Sequence, residues 1–240
     1  MRTILLLLLI CMLAFQSCTP KLTQTPEEAL KKDFPRIKYD TLRPFDIKGI
    51  YEGNKENEIF YYVPEMGYLI IGEIIAKDGR SLTRERQHEI VSQRVREKIK
   101  DIPLNKAVII GTGKHRVIEI TDPDCPYCRR ASEFFSQRTD VTRYVFFNPL
   151  PFHPKAEGKV LYILCAADRV KAYSEAMTGD LDKGDFKICD DAKAKELLET
   201  HKNLASTMGI SGTPFFFIDG KTAVFGADIP KLEKLLQEQQ

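Results

Sequence analysis

The segment Asp124-Cys125-Pro126-Tyr127-Cys128 holds two thiols at C-x-x-C spacing. If a helix begins here, Cys125 is its N-cap and Cys128 lies one turn in. Pro126 then takes the first helical position, where a missing N–H costs nothing. The unpaired N–H groups and the positive end of the helix favour a thiolate at Cys125 and pull its pKa below the free value of about 8.5. Arg129 and Arg130 act in the same direction, Asp122 and Asp124 against it. A thiolate so placed attacks disulfides, and Cys128 resolves the resulting mixed disulfide by attacking Cys125. The same spelling is half of a zinc site, which needs two further ligands. Cys165 and Cys189 form no second C-x-x-C, and His88, His115, His153 and His201 show no paired ligand spacing, so neither a metal nor another cofactor is expected.

The elements around this pair follow an α/β order. Ala107 to Gly111 and Arg116 to Thr121 are β-rich, Pro126 to Arg138 is helical, and Val141 to Phe147 is again a strand. Lys155 to Met177 and Asp191 to Met208 have helical period; Phe215 to Asp219 and Thr222 to Phe225 read as a hairpin turning at Asp219-Gly220, and Asp228 or Pro230 opens a last helix. A β-α-β unit, a helical insertion, a hairpin and a terminal helix is the order of a thioredoxin fold. In that fold Ser211-Gly212-Thr213-Pro214 forms a cis-proline loop against the dithiol, and the Thr213 backbone offers an edge to an incoming chain. Proline at the start of a strand is also simply a tolerated position.

Glu119, six residues before Cys125 in an otherwise apolar strand, stands at the offset where thioredoxin-like proteins commonly keep a buried acid beneath the second cysteine, here Cys128. Burial there disfavours its charge and lets it take and return the Cys128 proton. The alternative is an exposed strand face. Cys165 and Cys189 flank a Gly- and Asp-containing loop and are expected to form a structural disulfide clamping the insertion, worth about 3.5 kcal/mol by loop-closure entropy. The alternative is a second reactive pair.

Upstream, Thr25-Pro26-Glu27-Glu28 opens a helix ending near Phe34. Ile37 to Leu42, Ile47 to Tyr51, Glu58 to Val63 and Tyr68 to Ile75 read as short strands, with turns at Gly53-Asn54 and Pro64 to Gly67. A core this small is marginal alone and calls for a partner surface. Ser81 or Thr83 caps a helix to about Lys100, whose narrow stripe of Ile90, Val91, Val95 and Ile99 suits a linker, or an ordinary packed surface helix. The expected organisation is therefore a signal peptide over 1–17, a tether over 18–26, a small α+β domain over 27–80, a linker helix over 81–102, and a thioredoxin-like domain over 103–240.

With 36 basic and 34 acidic side chains and only short charge runs, the chain has no footprint for nucleic acid. Arg2 precedes the apolar run Ile4 to Phe15, too short to span a bilayer but suited to the core of an export signal. Ala14-Phe15-Gln16-Ser17-Cys18 resembles a bacterial lipobox, which makes Cys18 the expected lipid attachment point; ordinary cleavage nearby is the alternative. With Cys11 removed and Cys18 acylated, Cys125, Cys128, Cys165 and Cys189 remain. An even set leaves no orphan thiol in an oxidising compartment.

On three stretches the chain resembles the periplasmic disulfide isomerases of the DsbC and DsbG family. They are Thr121-Asp122 through Cys125-Pro126-Tyr127-Cys128, Cys165-Ala166 with Cys189-Asp190, and Met208-Gly209-Ile210-Ser211-Gly212-Thr213-Pro214. The resemblance is close from about His115 to Gly220; over 27–100 order and length match but few residues do. It implies a homodimer joined through the N-terminal domains, an apolar cleft that accepts misfolded exported proteins, and a membrane thiol reductase that keeps Cys125 and Cys128 reduced. Glu119 departs from the pattern, since an acid there is more typical of oxidases such as DsbA. The expectation is a periplasmic, lipid-anchored thiol:disulfide isomerase or reductase, with a dithiol oxidase, a protector of single thiols and a redox-independent dimeric holdase as the competing readings.

Overall fold

A computed structural model describes residues 24–184 and 186–237. The signal peptide, Cys11, Cys18 and most of the tether lie outside the described residues. The chain divides into two compact units, residues 1–72 and 73–240.

The first unit opens with helix α1 (Pro26–Asp33), started by a reciprocal cap: the Glu28 N–H donates to Thr25 Oγ1 at 3.2 Å and the Thr25 N–H to the Glu28 carboxylate at 2.9 Å. Four strands follow, β1 (Thr41–Pro44), β2 (Tyr51–Lys55), β3 (Glu58–Val63) and β4 (Tyr68–Ile70), paired antiparallel in chain order. Leu30 and Ala29 of α1 pack on Phe60 and Tyr62 of β3 to form the core. The first two strands begin several residues later than their composition suggests, because Ile47 to Ile50 make the turn between them, closed by Phe45 N–H on the Ile50 carbonyl. Gly53 is not in a turn. It lies inside β2, where a Cβ would stand 2.1 Å from Phe60 Cζ, so the ring of Phe60 occupies the space a side chain would need. The β2–β3 turn is instead made at Glu56, whose φ is 54°. Met66, Tyr68, Ile70 and Ile71 stay exposed along edge strand β4 and just beyond its ends.

The second unit starts with helix α2 (Leu82–Glu97), capped by Ser81. Its Val91 and Val95 are buried with Ile118, Phe217 and Leu204, and the His88 ring stacks on Phe225 with centroids 3.8 Å apart. The stripe is thus packed in this unit. Five strands, β5 (Val108–Ile110), β6 (His115–Thr121), β7 (Val141–Phe147), β8 (Phe215–Ile218) and β9 (Thr222–Phe225), lie in the order β5-β7-β6-β8-β9. Only β6 and β7 run parallel, joined across helix α3 (Pro126–Ser136). Alternation sends Phe216 and Ile218 to the face covered by α3 and the terminal helix α7 (Ile229–Gln237), and Phe215 and Phe217 to the opposite one.

The insertion that was expected as one long helix over 155–177 is two: α4 (Ala156–Cys165) and α5 (Arg169–Thr178). Asp168 breaks it by taking the Lys171 N–H at 2.9 Å as an N-cap, a local alternative that wins over continued helix without any Pro or Gly. Gly179, at φ 84°, ends α5, and helix α6 (Ala192–Met208) returns to the sheet from its Asp191 cap. Cys165 and Cys189 are joined in a disulfide with Cα atoms 6.3 Å apart, fastening the end of α4 to the segment leading into α6.

Candidate active site

Strand β6 delivers Asp122, Pro123 and Asp124 to the start of α3, where Cys125 is the N-cap and Pro126 the first helical residue. Both thiols are free, Cys128 fully buried and Cys125 only 4% exposed. Their environments drive them apart. The Cys125 thiol is lowered to about 6, chiefly by a hydrogen bond from Cys128; the Cys128 and Tyr127 N–H groups and Thr213 add to this, and burial opposes it. Cys128 is pushed far up, first by burial and then by its hydrogen bond to Cys125, against smaller contributions from Thr121 and Thr213. Cys125 is therefore the thiolate near neutral pH and Cys128 the thiol that holds its proton.

Facing them, the Thr213–Pro214 peptide is cis, and Cys125 Sγ lies 3.6 Å from the Thr213 carbonyl oxygen. The loop ahead of β8 thus meets the N-terminus of α3.

Glu119 is buried, and its hydrogen bonds go to Arg143 and Tyr173 and not to Cys128. Its carboxylate accepts from Arg143 Nε and Nη2 at 2.9 and 2.7 Å and from the Tyr173 hydroxyl at 3.4 Å. Arg143 itself is sandwiched between the rings of Phe135 and Tyr173, at 4.9 and 5.2 Å. The acid expected to exchange a proton with Cys128 stands in a buried ion pair with Arg143. The β6–β7 register, with Val117 opposite Arg143, sets the guanidinium one step from Glu119 on the same face. What lies against Cys128 is Thr121, next on that face, with its buried hydroxyl lacking a hydrogen-bond partner, and the Asp122 N–H, 3.4 Å from Cys128 Sγ.

Two of the charged groups at this site, Lys159 and Asp182, are ones the sequence did not single out. Lys159 of α4, fully buried, donates to both Asp124 and Asp182. Arg129 closes the group onto Asp182 at 2.5 and 3.1 Å and onto the Pro123 carbonyl at 2.7 Å, and together these cations hold Asp182 well below the usual carboxylate range. Arg129 is thus committed to the insertion, and the lowering at Cys125 comes from hydrogen bonds. Among the described residues, no three His, Cys, Asp or Glu side chains stand together as a metal site would need.

Residues 102–240 match the family model of a thioredoxin-like domain. The chain belongs to the thioredoxin-like family. This thioredoxin-like chain also matches, over residues 19–84, the family model of the disulfide bond isomerase protein N-terminal domain. It is 28% identical over 196 residues to the probable thiol:disulfide interchange protein DsbC of Bordetella avium, covering 80% of this chain and 66% of that one. It is 26% identical over 211 residues to the thiol:disulfide interchange protein DsbC of Dickeya dadantii, covering 85% and 84%. The solved thiol-disulfide exchange protein alpha-DsbA2 from Wolbachia pipientis superposes with a TM-score of 0.51 at 17% identity over 65% of this chain and 98% of that one, a likeness of fold. The thioredoxin-like chain is thus DsbC-like, and its enzyme class is that of the thiol:disulfide oxidoreductases.

Proposed function

We propose that the protein is a thiol:disulfide isomerase or reductase acting on exported proteins in the periplasm, with Cys125 as nucleophile and Cys128 as resolving thiol. The observation that carries this reading is the asymmetry of the pair: a lowered thiol at the helix N-cap beside Thr213-Pro214, and a raised one beneath it. Cys125 thiolate attacks a substrate disulfide, one substrate sulfur leaves as thiolate, and a mixed disulfide forms. A second substrate thiolate can then displace Cys125, which reshuffles the substrate, or Cys128 can attack Cys125 and displace the substrate sulfur, which reduces the substrate.

The assembly we propose is a homodimer built on the domain over 27–80, with residues 81–102 linking it to the domain over 103–240. The exposed apolar row Met66, Tyr68, Ile70 and Ile71 along and beside edge strand β4 supports this, since such a strip on a small sheet invites a second copy. Cys18 would anchor the dimer to a membrane by its lipid, Cys165–Cys189 would hold the insertion, and a membrane thiol reductase would keep the pair reduced. Reactivation of a scrambled disulfide protein tests the activity: wild type restores it and Cys125→Ser does not. No activity from reduced wild type would sink the proposal.

A dithiol oxidase is the second reading. It is favoured by the lowered Cys125 thiol, because stabilising the reduced form makes a dithiol couple a stronger oxidant. Equilibration of the Cys125–Cys128 couple with glutathione separates the two.

A further inference from the structure

Asp122 faces two ionisable side chains at once. Its N–H donates to Cys128 Sγ at 3.4 Å, while Oδ2 of its fully buried carboxylate accepts from His153 Nδ1 at 2.8 Å and from the Leu150 N–H at 2.8 Å. Oδ1 is taken by the Asp124 N–H at 2.8 Å. The His153 side chain is 17% exposed, so the ring meets solvent while its Nδ1 proton is committed inward. That hydrogen bond fixes the tautomer and leaves Nε2 as the nitrogen that gains or loses a proton.

The other charged groups nearby have partners of their own. Asp124 is held by Lys159 of α4 and by Arg129 of α3, and both cations also bind Asp182. The Cys125 N–H donates to the Asp122 carbonyl at 3.1 Å, not to its carboxylate. The ionisable side chain bonded to the Asp122 carboxylate is His153. The Asp122 N–H that meets Cys128 Sγ and the carboxylate that holds His153 belong to one residue, so a charge gained on the ring acts on the Cys128 sulfur through Asp122, and an imidazolium there favours the thiolate.

We propose that His153, held by Asp122, is the positioning residue that sets the pH range over which Cys128 resolves a mixed disulfide on Cys125. This rests on the dithiol reading above. In the step concerned, Cys128 gives its proton to solvent and its sulfur bonds to Cys125 Sγ. The bond between Cys125 and the substrate sulfur breaks, and its electron pair leaves with the substrate thiolate. The mixed disulfide is itself the oxidant, so no further co-reactant enters.

The test mixes the whole chain, carrying Cys11→Ser and Cys18→Ser and with Cys125 and Cys128 reduced but Cys165–Cys189 intact so that only the pair reacts, with one equivalent of a chromogenic aryl disulfide from pH 5 to 9. The first aryl thiolate released reports attack by Cys125 and the second reports resolution by Cys128. The second phase of His153→Gln is expected to be about tenfold slower than wild type at pH 5, equal to it at pH 9, and without the wild-type inflection. Asp122→Asn, which unties the ring, is expected to lose the same inflection; if it does not fold, His153→Gln decides alone. An unchanged second-phase profile in His153→Gln overturns the proposal, and so does slowing that is uniform at every pH. Absence of the first phase in wild type would instead overturn the dithiol reading on which it rests.

Discussion

Arg143 Nη2 lies 2.7 Å from Glu119 Oε2, with both side chains buried between the sheet and helices α3 and α5. Removing one partner leaves the other as an uncompensated buried charge, whereas replacing both by apolar groups does not. Glu119→Ala is expected to cost about 3–5 kcal/mol in urea unfolding, and Glu119→Leu with Arg143→Met to recover most of it. A stable Glu119→Ala protein would show that the pair contributes little.

Cys125 alkylation by iodoacetamide is expected to rise with a midpoint near pH 6, the value to which its surroundings bring it. Because the hydrogen bond from Cys128 is the largest cause, Cys128→Ala is expected to move the midpoint up toward the ordinary thiol value near 9. A midpoint that stays put would assign the lowering to the helix N-terminus and Thr213 alone.

His201 accepts from the Phe147 N–H at Nδ1, at 3.2 Å, and donates from Nε2 to the Lys106 carbonyl, at 2.9 Å, which fits only the neutral ring. Burial pulls its pKa down to about 4. Between the unfolded value near 6.5 and that folded value, the unfolded chain binds a proton that the native chain refuses, so stability falls as pH drops through this window. The loss is on the order of 3 kcal/mol. Chemical denaturation at pH 7 and pH 4.5 is expected to show a smaller drop for His201→Gln than for wild type; equal drops would assign the acid sensitivity to carboxylates.

Replacing Cys165 and Cys189 together by Ala is expected to lower stability by roughly 2–4 kcal/mol, measured by urea unfolding, while leaving the Cys125 alkylation midpoint in place. A shifted midpoint would show that the disulfide tunes the reactive pair rather than only holding the insertion.

What was legible in the sequence is what local chain chemistry decides. Pro126 after Cys125 announces a helix start, and Thr25 with Glu28 announces another, because each cap is completed within one turn. The run Val141 to Phe147 is a strand in both sequence and structure, since its β-branched and aromatic residues have no competing local option. Glu119 shows the limit: its apolar strand context correctly implies burial, but its partner Arg143 comes from a neighbouring strand and its third contact, Tyr173, from the insertion. Lys159 was hidden for the same reason, being an ordinary helical lysine until the fold brings Asp124 and Asp182 to it. Gly53 misled because a glycine needed for an aromatic ring above it looks the same as a glycine needed for a turn.

The turn Asp180–Asp182 hangs from the insertion, yet Asp182 is bound by Arg129 of the helix that begins at Cys125 and by Lys159. Chimeras that exchange this surface turn between homologues to change client preference would remove one of the two carboxylates that neutralise a buried ammonium and leave the arginine beside the reactive pair to the Pro123 carbonyl and Asp124 alone. The transplantable module is therefore larger than the loop it displays: Asp124, Arg129, Lys159 and Asp182 travel as one set or not at all.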